Sequence, residues 1–69
     1  MERIFVVKHS FKATMRGNRG DSRVFKPTES VWWDPEQVSD PAVFKADRLQ
    51  FEVDRAAFIR CVKSKPFPS

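Results

Sequence analysis

The stretch AVFKADRLQFEVDRAAFIRCVK, residues 42–63, changes its hydrophobic period part-way along. In its first half Leu49, Phe51 and Val53 alternate with Gln50 and Glu52, as on a strand with one buried face. AVFKAD and RLQFEV read as two short strands of a hairpin joined at Asp47-Arg48, with Phe44 and Ala46 as cross-strand partners. The turn lacks the usual glycine, so a longer loop also fits. Past Val53 the alternation stops. Asp54 is a good helix N-cap, Val53 and Phe58 are spaced for a hydrophobic staple, and Phe58, Ile59 and Val62 form an apolar stripe. Two readings fit 54–63: a short helix, or one helical turn over Asp54–Phe58 followed by a closing strand, IRCVK. The poor alternation of IRCVK favours the helix.

Working outward toward the N-terminus, DPEQVSDP is a loop between two Asp-Pro steps, each of which turns the preceding Asp away from helix. Before it, ESVWWDP holds both tryptophans of the chain. Neighbouring side chains on a strand point to opposite faces, so the two tryptophans cannot share one core. Val31 and Trp33 share one face; Trp32 shares the other with Ser30 and Asp34. The phase predicts Trp33 inside and Trp32 toward solvent or a ligand. Further back, RIFVVKHSFKATM alternates as one long strand, with Phe5, Val7, His9, Phe11, Ala13 and Met15 on the inner face. His9 is thereby expected to be half-buried and hydrogen-bonded. RGNRGDSR (16–23) carries both glycines and three arginines and reads as a basic loop. Its Arg-Gly-Asp triplet resembles integrin-recognition sites and is read as chance. RVF and VWW are short strands on either side of the turn KPTES.

The totals point to one small domain over residues 1–63 and an extended or disordered tail over 64–69. A chain of 69 residues buries only about 60% of the surface it exposes when unfolded, and seven Phe and two Trp supply the needed apolar area. Cys61 and His9 are the only residues of their types, which rules out an internal disulfide and a Cys/His zinc site. No metal or cofactor is expected. No secretory signal or membrane-spanning run is legible, so the expectation is a soluble, intracellular (cytoplasmic) protein, monomeric or homodimeric. The formal net charge of +4 is unevenly spread. Residues 1–26 carry seven basic side chains against two acidic, 27–58 three against seven, and 59–69 three against none. Strand pairing either cancels these blocks or leaves a basic surface facing an acidic one.

The fold class expected is mainly β: a strongly twisted antiparallel sheet of 4–5 strands, or a small barrel, with a short C-terminal helix or 3-10 turn. FKPTES (25–30) resembles the Phe-Lys-x-Gly-Glu/Asp turn that opens the second strand of SH3 and related barrels. LQFEVDRAAFIRCVK (49–63) is similar to the fourth strand, 3-10 turn and last strand of those domains. The resemblance implies an SH3-like barrel over most of the chain. The chain departs from SH3 domains in placing its Trp pair within three residues of that turn and in having no Tyr, so proline-rich ligand recognition is not implied. An α+β unit, with a helix lying across an antiparallel sheet, is the alternative.

Catalysis is not expected, because no nucleophile sits beside an oriented base in the sequence. The leading expectation is a protein-interaction module or accessory, regulatory subunit, in which Trp32 is an aromatic anchor and Glu29, Asp34 and Glu36 form an acidic rim. The alternative is nucleic-acid binding by the basic N-terminal strand and the 16–23 loop, through Lys8, Lys12, Arg16, Arg19, Arg23 and Lys26.

Overall fold

Alternation of apolar and polar residues is realised as strand almost throughout the computed structural model, which describes residues 1–17 and 20–65. The described residues form β1 (Arg3–Val7), β2 (Phe11–Met15), β3 (Ser22–Phe25), β4 (Ser30–Trp33), β5 (Ala42–Ala46), β6 (Leu49–Val53), α1 (Arg55–Cys61) and β7 (Val62–Ser64). All strands pair antiparallel in the order β3-β2-β6-β5-β4-β1-β7. β1 and β2 follow one another in the chain yet stand far apart in that order, so the sheet curls back on itself into a half-barrel.

Seven strands replace the four or five expected, for two reasons. The long N-terminal strand bends at Lys8–Ser10 and divides into β1 and β2, and the chain after the helix adds β7. The partner segment bends in step. Arg3↔Trp33 and Phe11↔Phe25 belong to the same one-for-one register, carried across a corner made by residues 8–10 and 26–28. Pro27 presets the turn Lys26–Glu29, and Thr28 takes φ 82° at the position where a type II turn calls for glycine. The Glu29 N–H closes it onto the Lys26 carbonyl at 3.2 Å, while the Thr28 N–H bonds the Val7 carbonyl at 2.9 Å. The corner also overturns the reading of His9, which stands exposed on the bend rather than half-buried on a strand.

The second hairpin follows its expected short form. Phe44↔Phe51 and Ala46↔Leu49 are cross-strand pairs. Asp47 and Arg48 alone turn the chain, at φ 50° and 66°, the two positive angles of a type I′ turn. Leu49, expected inside, is exposed beside this turn. Both readings of 54–63 then apply in part: a seven-residue helix runs directly into a three-residue strand. The Asp54 carboxylate accepts from the Ala57 N–H at 3.1 Å, as an N-cap does. The Val62 N–H bonds the Phe58 carbonyl, and extended φ and ψ at Val62 stop the helix and start the pairing with β1.

The curl encloses an aromatic core. Phe25, Phe44, Phe51 and Phe58 are fully buried, with Phe5, Phe11 and Trp33 beside them. Helix α1 contributes Phe58, whose ring lies 4.8 Å from Phe44, 5.0 Å from Trp33 and 5.7 Å from Phe11. Such ring pairs each add about 0.5–1.5 kcal/mol beyond the area they bury. Ile59 leaves the predicted stripe and faces solvent, because one helical position rotates a side chain by more than a quarter-turn. Within the tail expected over 64–69, Ser64 completes β7 and the Lys65 N–H bonds the Ile4 carbonyl at 3.1 Å. Residues 66–69 lie outside the described part.

Candidate functional site

Strand β4 places its two tryptophans on opposite faces, Trp33 at 4% exposure and Trp32 at 40%. Trp33 packs edge-on against Phe5 at 5.3 Å, and the Arg55 guanidinium stands 5.5 Å above its ring. Trp32 looks out from the convex face. Its cross-strand neighbours are Ile4 on β1 and Lys45 on β5, and the adjacent row runs Ser30, Val6, Lys63. Ile4 and Val6 are half-buried, so Trp32 heads a short apolar strip flanked by lysines.

The carboxylates read as a rim distribute differently. Asp34 follows Trp32 on the same face, accepts from the Glu36 N–H at 2.9 Å and pairs with the Met1 α-amino group at 3.1 Å. Glu36 reaches the same amino group at 3.6 Å. The Glu36 N–H first, and the α-amino group second, hold the Asp34 pKa below the usual aspartate value. Glu29 belongs to another cluster, at the corner. It accepts from Arg23 at 2.8 Å and from the Lys26 N–H at 2.6 Å, and Arg23 also bridges to Asp47 on the β5–β6 turn. Hydrogen bonds from Arg23 to Asp47 and then to Glu29 raise the pKa of that guanidinium further above its ordinary value.

The basic residues separate into two groups. Arg16 is tied to Glu52 at 3.4 Å and Arg23 to two acids, so described members of the loop set are compensated; Arg19 lies outside the described residues. Among the described residues Lys8, Lys12 and Lys26 are exposed and make no side-chain ion pair or hydrogen bond. The same holds for Arg60 and Lys63, which the sequence reading left out. Their signal was the three-to-none basic excess after residue 58.

Among the described residues His9 and Cys61 do not converge through their side chains. The His9 N–H bonds the Cys61 carbonyl at 3.1 Å, but no hydrogen bond joins imidazole to thiol. A shallow groove lies between loop 34–41 and the β5–β6 face, and its charged walls are largely paired, Glu2 with Lys45 at 3.6 Å and Arg16 with Glu52. Among the described residues no group of three or more His, Cys, Asp or Glu could hold a metal ion, and no helix is long and apolar enough to cross a membrane. Neither protein-family models, curated proteins nor solved structures contain a match to this chain. The fold and surface therefore define its class: a small curled antiparallel β half-barrel with a closing helix and an exposed tryptophan on its convex face.

Proposed function

We propose that the chain is a non-enzymatic protein-interaction module, or an accessory subunit, that meets its partner through the convex face of β4. The observation that carries this reading is the opposite fate of two adjacent tryptophans. Trp33 is needed by the core, whereas 40% of Trp32 is held in solvent by a rigid strand. A large aromatic displayed on a preformed surface loses little conformational entropy on binding and is the residue type that dominates interface energetics. Ile4 and Val6 extend the anchor, and Asp34, Glu36 and Lys45 supply a polar rim of mixed sign. Glu29 falls outside this contact set because its carboxylate is turned to Arg23.

In the same reading the half-barrel is an SH3-like module. The order of elements supports it: a bent first ribbon, the Lys26–Glu29 turn, a tight hairpin at Asp47-Arg48 and a helix before the last strand. Thr28, at the glycine position of the motif, keeps the positive φ that the motif needs.

The test is Trp32→Ala. Its amide spectrum and unfolding midpoint should match those of the unaltered protein, and affinity purification should lose a partner that the unaltered protein retains. Retention of every partner by the variant would sink the proposal, and so would loss of the fold.

A further inference from the structure

Among the described residues most carboxylates are spent locally, and five of the unpaired cations share one corner of the fold, while Arg3, Arg48 and Lys65, also unpaired, lie elsewhere. Glu2, Glu29, Asp34, Glu36, Asp47 and Glu52 each face a cation within the ion-pair range. Asp40 and Asp54 accept from backbone N–H groups around the start of α1. Lys8, Lys12, Lys26, Arg60 and Lys63 have no such partner among the described residues.

Three segments bring these five together at the corner where the sheet folds. The Lys8 N–H bonds the Cys61 carbonyl at 2.7 Å, which sets Lys8 beside the junction of α1 with β7, one residue past Arg60. Lys63 pairs with Val6, two residues before Lys8, at the end of β1 that runs into the bend. On the other flank the Thr28 N–H bonds the Val7 carbonyl, which brings the turn bearing Lys26 against the bend. Lys12 continues the line on β2 beside Val24. On the flank Glu29 and Asp47 share Arg23, which leaves one uncompensated negative charge there against five positive ones.

We infer that this ridge, which begins one row from Trp32 at Lys63, binds the phosphate backbone of double-stranded nucleic acid independently of sequence. A row of cations around a convex corner matches a row of phosphates, and each contact releases condensed counterions. Interfaces with proteins are depleted in lysine, whereas this ridge is made of four lysines and one arginine. Single-strand readers stack successive bases on several aromatic side chains, whereas Trp32, one row from Lys63, is the one exposed aromatic among the described residues. The basic loop of residues 16–23 is not the site, because Arg16 and Arg23 are neutralised by Glu52, Glu29 and Asp47.

The experiment is fluorescence anisotropy of a labelled DNA duplex of random sequence, titrated with the full chain at several salt concentrations. Binding should weaken on the order of 10²-fold between 50 and 200 mM salt, as about four neutralised phosphates require. Lys8→Ala, Lys26→Ala, Arg60→Ala and Lys63→Ala should each weaken binding and lower the salt slope by about one. All four side chains are exposed, so an unchanged circular dichroism spectrum is expected alongside. Arg16→Ala should leave binding as it was. The inference is overturned by absence of salt-dependent binding, by loss in Arg16→Ala with the ridge variants intact, or by competition from poly-glutamate as strong as from unlabelled duplex, which would indicate an acidic protein.

Discussion

The concave and convex faces of this sheet are built from alternate residues of the same strands and do opposite work. Inside, Phe5, Phe11, Phe25, Phe44 and Phe51 meet Trp33 and Phe58 in one continuous aromatic cluster. Outside, the same strands present Trp32, Lys12, Lys45 and Lys63. In so small a domain stability is concentrated on one face, which leaves the other free to vary in chemistry at little thermodynamic cost. Faces that are separable in this way should be separable by mutation.

The largest contrast lies within the helix, between neighbours. Phe58→Ala removes a fully buried ring that touches three others and should cost about 3–5 kcal/mol. Such a loss is a large part of the total stability of a domain this size, on the order of 5 kcal/mol. Ile59→Ala, at a position 48% exposed, should stay within about 0.5 kcal/mol. Urea unfolding of both variants checks the pair, and comparable losses would break the division into faces.

A smaller effect is expected at the corner that joins the halves of the sheet. Thr28 is β-branched and held at φ 82°, a conformation that costs an L-residue on the order of 1–3 kcal/mol. Thr28→Gly relieves that strain and adds about 0.4–1 kcal/mol of unfolded-chain entropy in opposition. Net stabilisation of about 1 kcal/mol should appear as a Tm raised by several degrees. A lowered Tm would mean that the Thr28 side chain contributes more than its backbone strain costs.

The smallest effect concerns charge on the convex rim. The pKa of Asp34 is depressed, so its contribution is present above the ordinary value of 3.8 and is lost as the pH falls through the lowered one. An NMR titration should place its midpoint below 3.8. Acetylating the Met1 amino group should raise that midpoint without restoring the ordinary value, because the Glu36 N–H still donates to the carboxylate. No change on acetylation would remove the α-amino group from the rim.

Much of the inner face was legible. The phase of VWW separated Trp33 from Trp32, and that of LQFEV placed Phe51 inside. The pairs Phe44↔Phe51 and Ala46↔Leu49 follow from two adjacent runs joined by a two-residue turn. His9 was misread because a strand's alternation continues through a bend without announcing it, and the five-residue pieces on either side remain in phase. Leu49 and Ile59 were misread because an apolar side chain at the rim of a turn or helix looks like a core residue in one dimension. The candidate surfaces were half legible. The outward direction of Trp32 was legible, but the acidic rim around it was inferred from chain neighbours rather than from the strands alongside.

What the sequence determined by itself was therefore the mainly β character, the turn at Asp47-Arg48, the N-cap at Asp54 and the inward or outward direction of most strand residues. All of these depend on contacts within a few positions of the chain, where stereochemistry and hydrophobic period act directly. Only the tertiary structure decided which side chains stand beside one another on the convex face. It seated Trp32 between Ile4 and Lys45, tied Arg16 and Arg23 to acids, and gathered Lys8, Lys26, Arg60 and Lys63 at the corner. Those neighbours come from distant segments joined by backbone hydrogen bonds that every residue type can make, so the identities of the side chains carry no local record of the pairing.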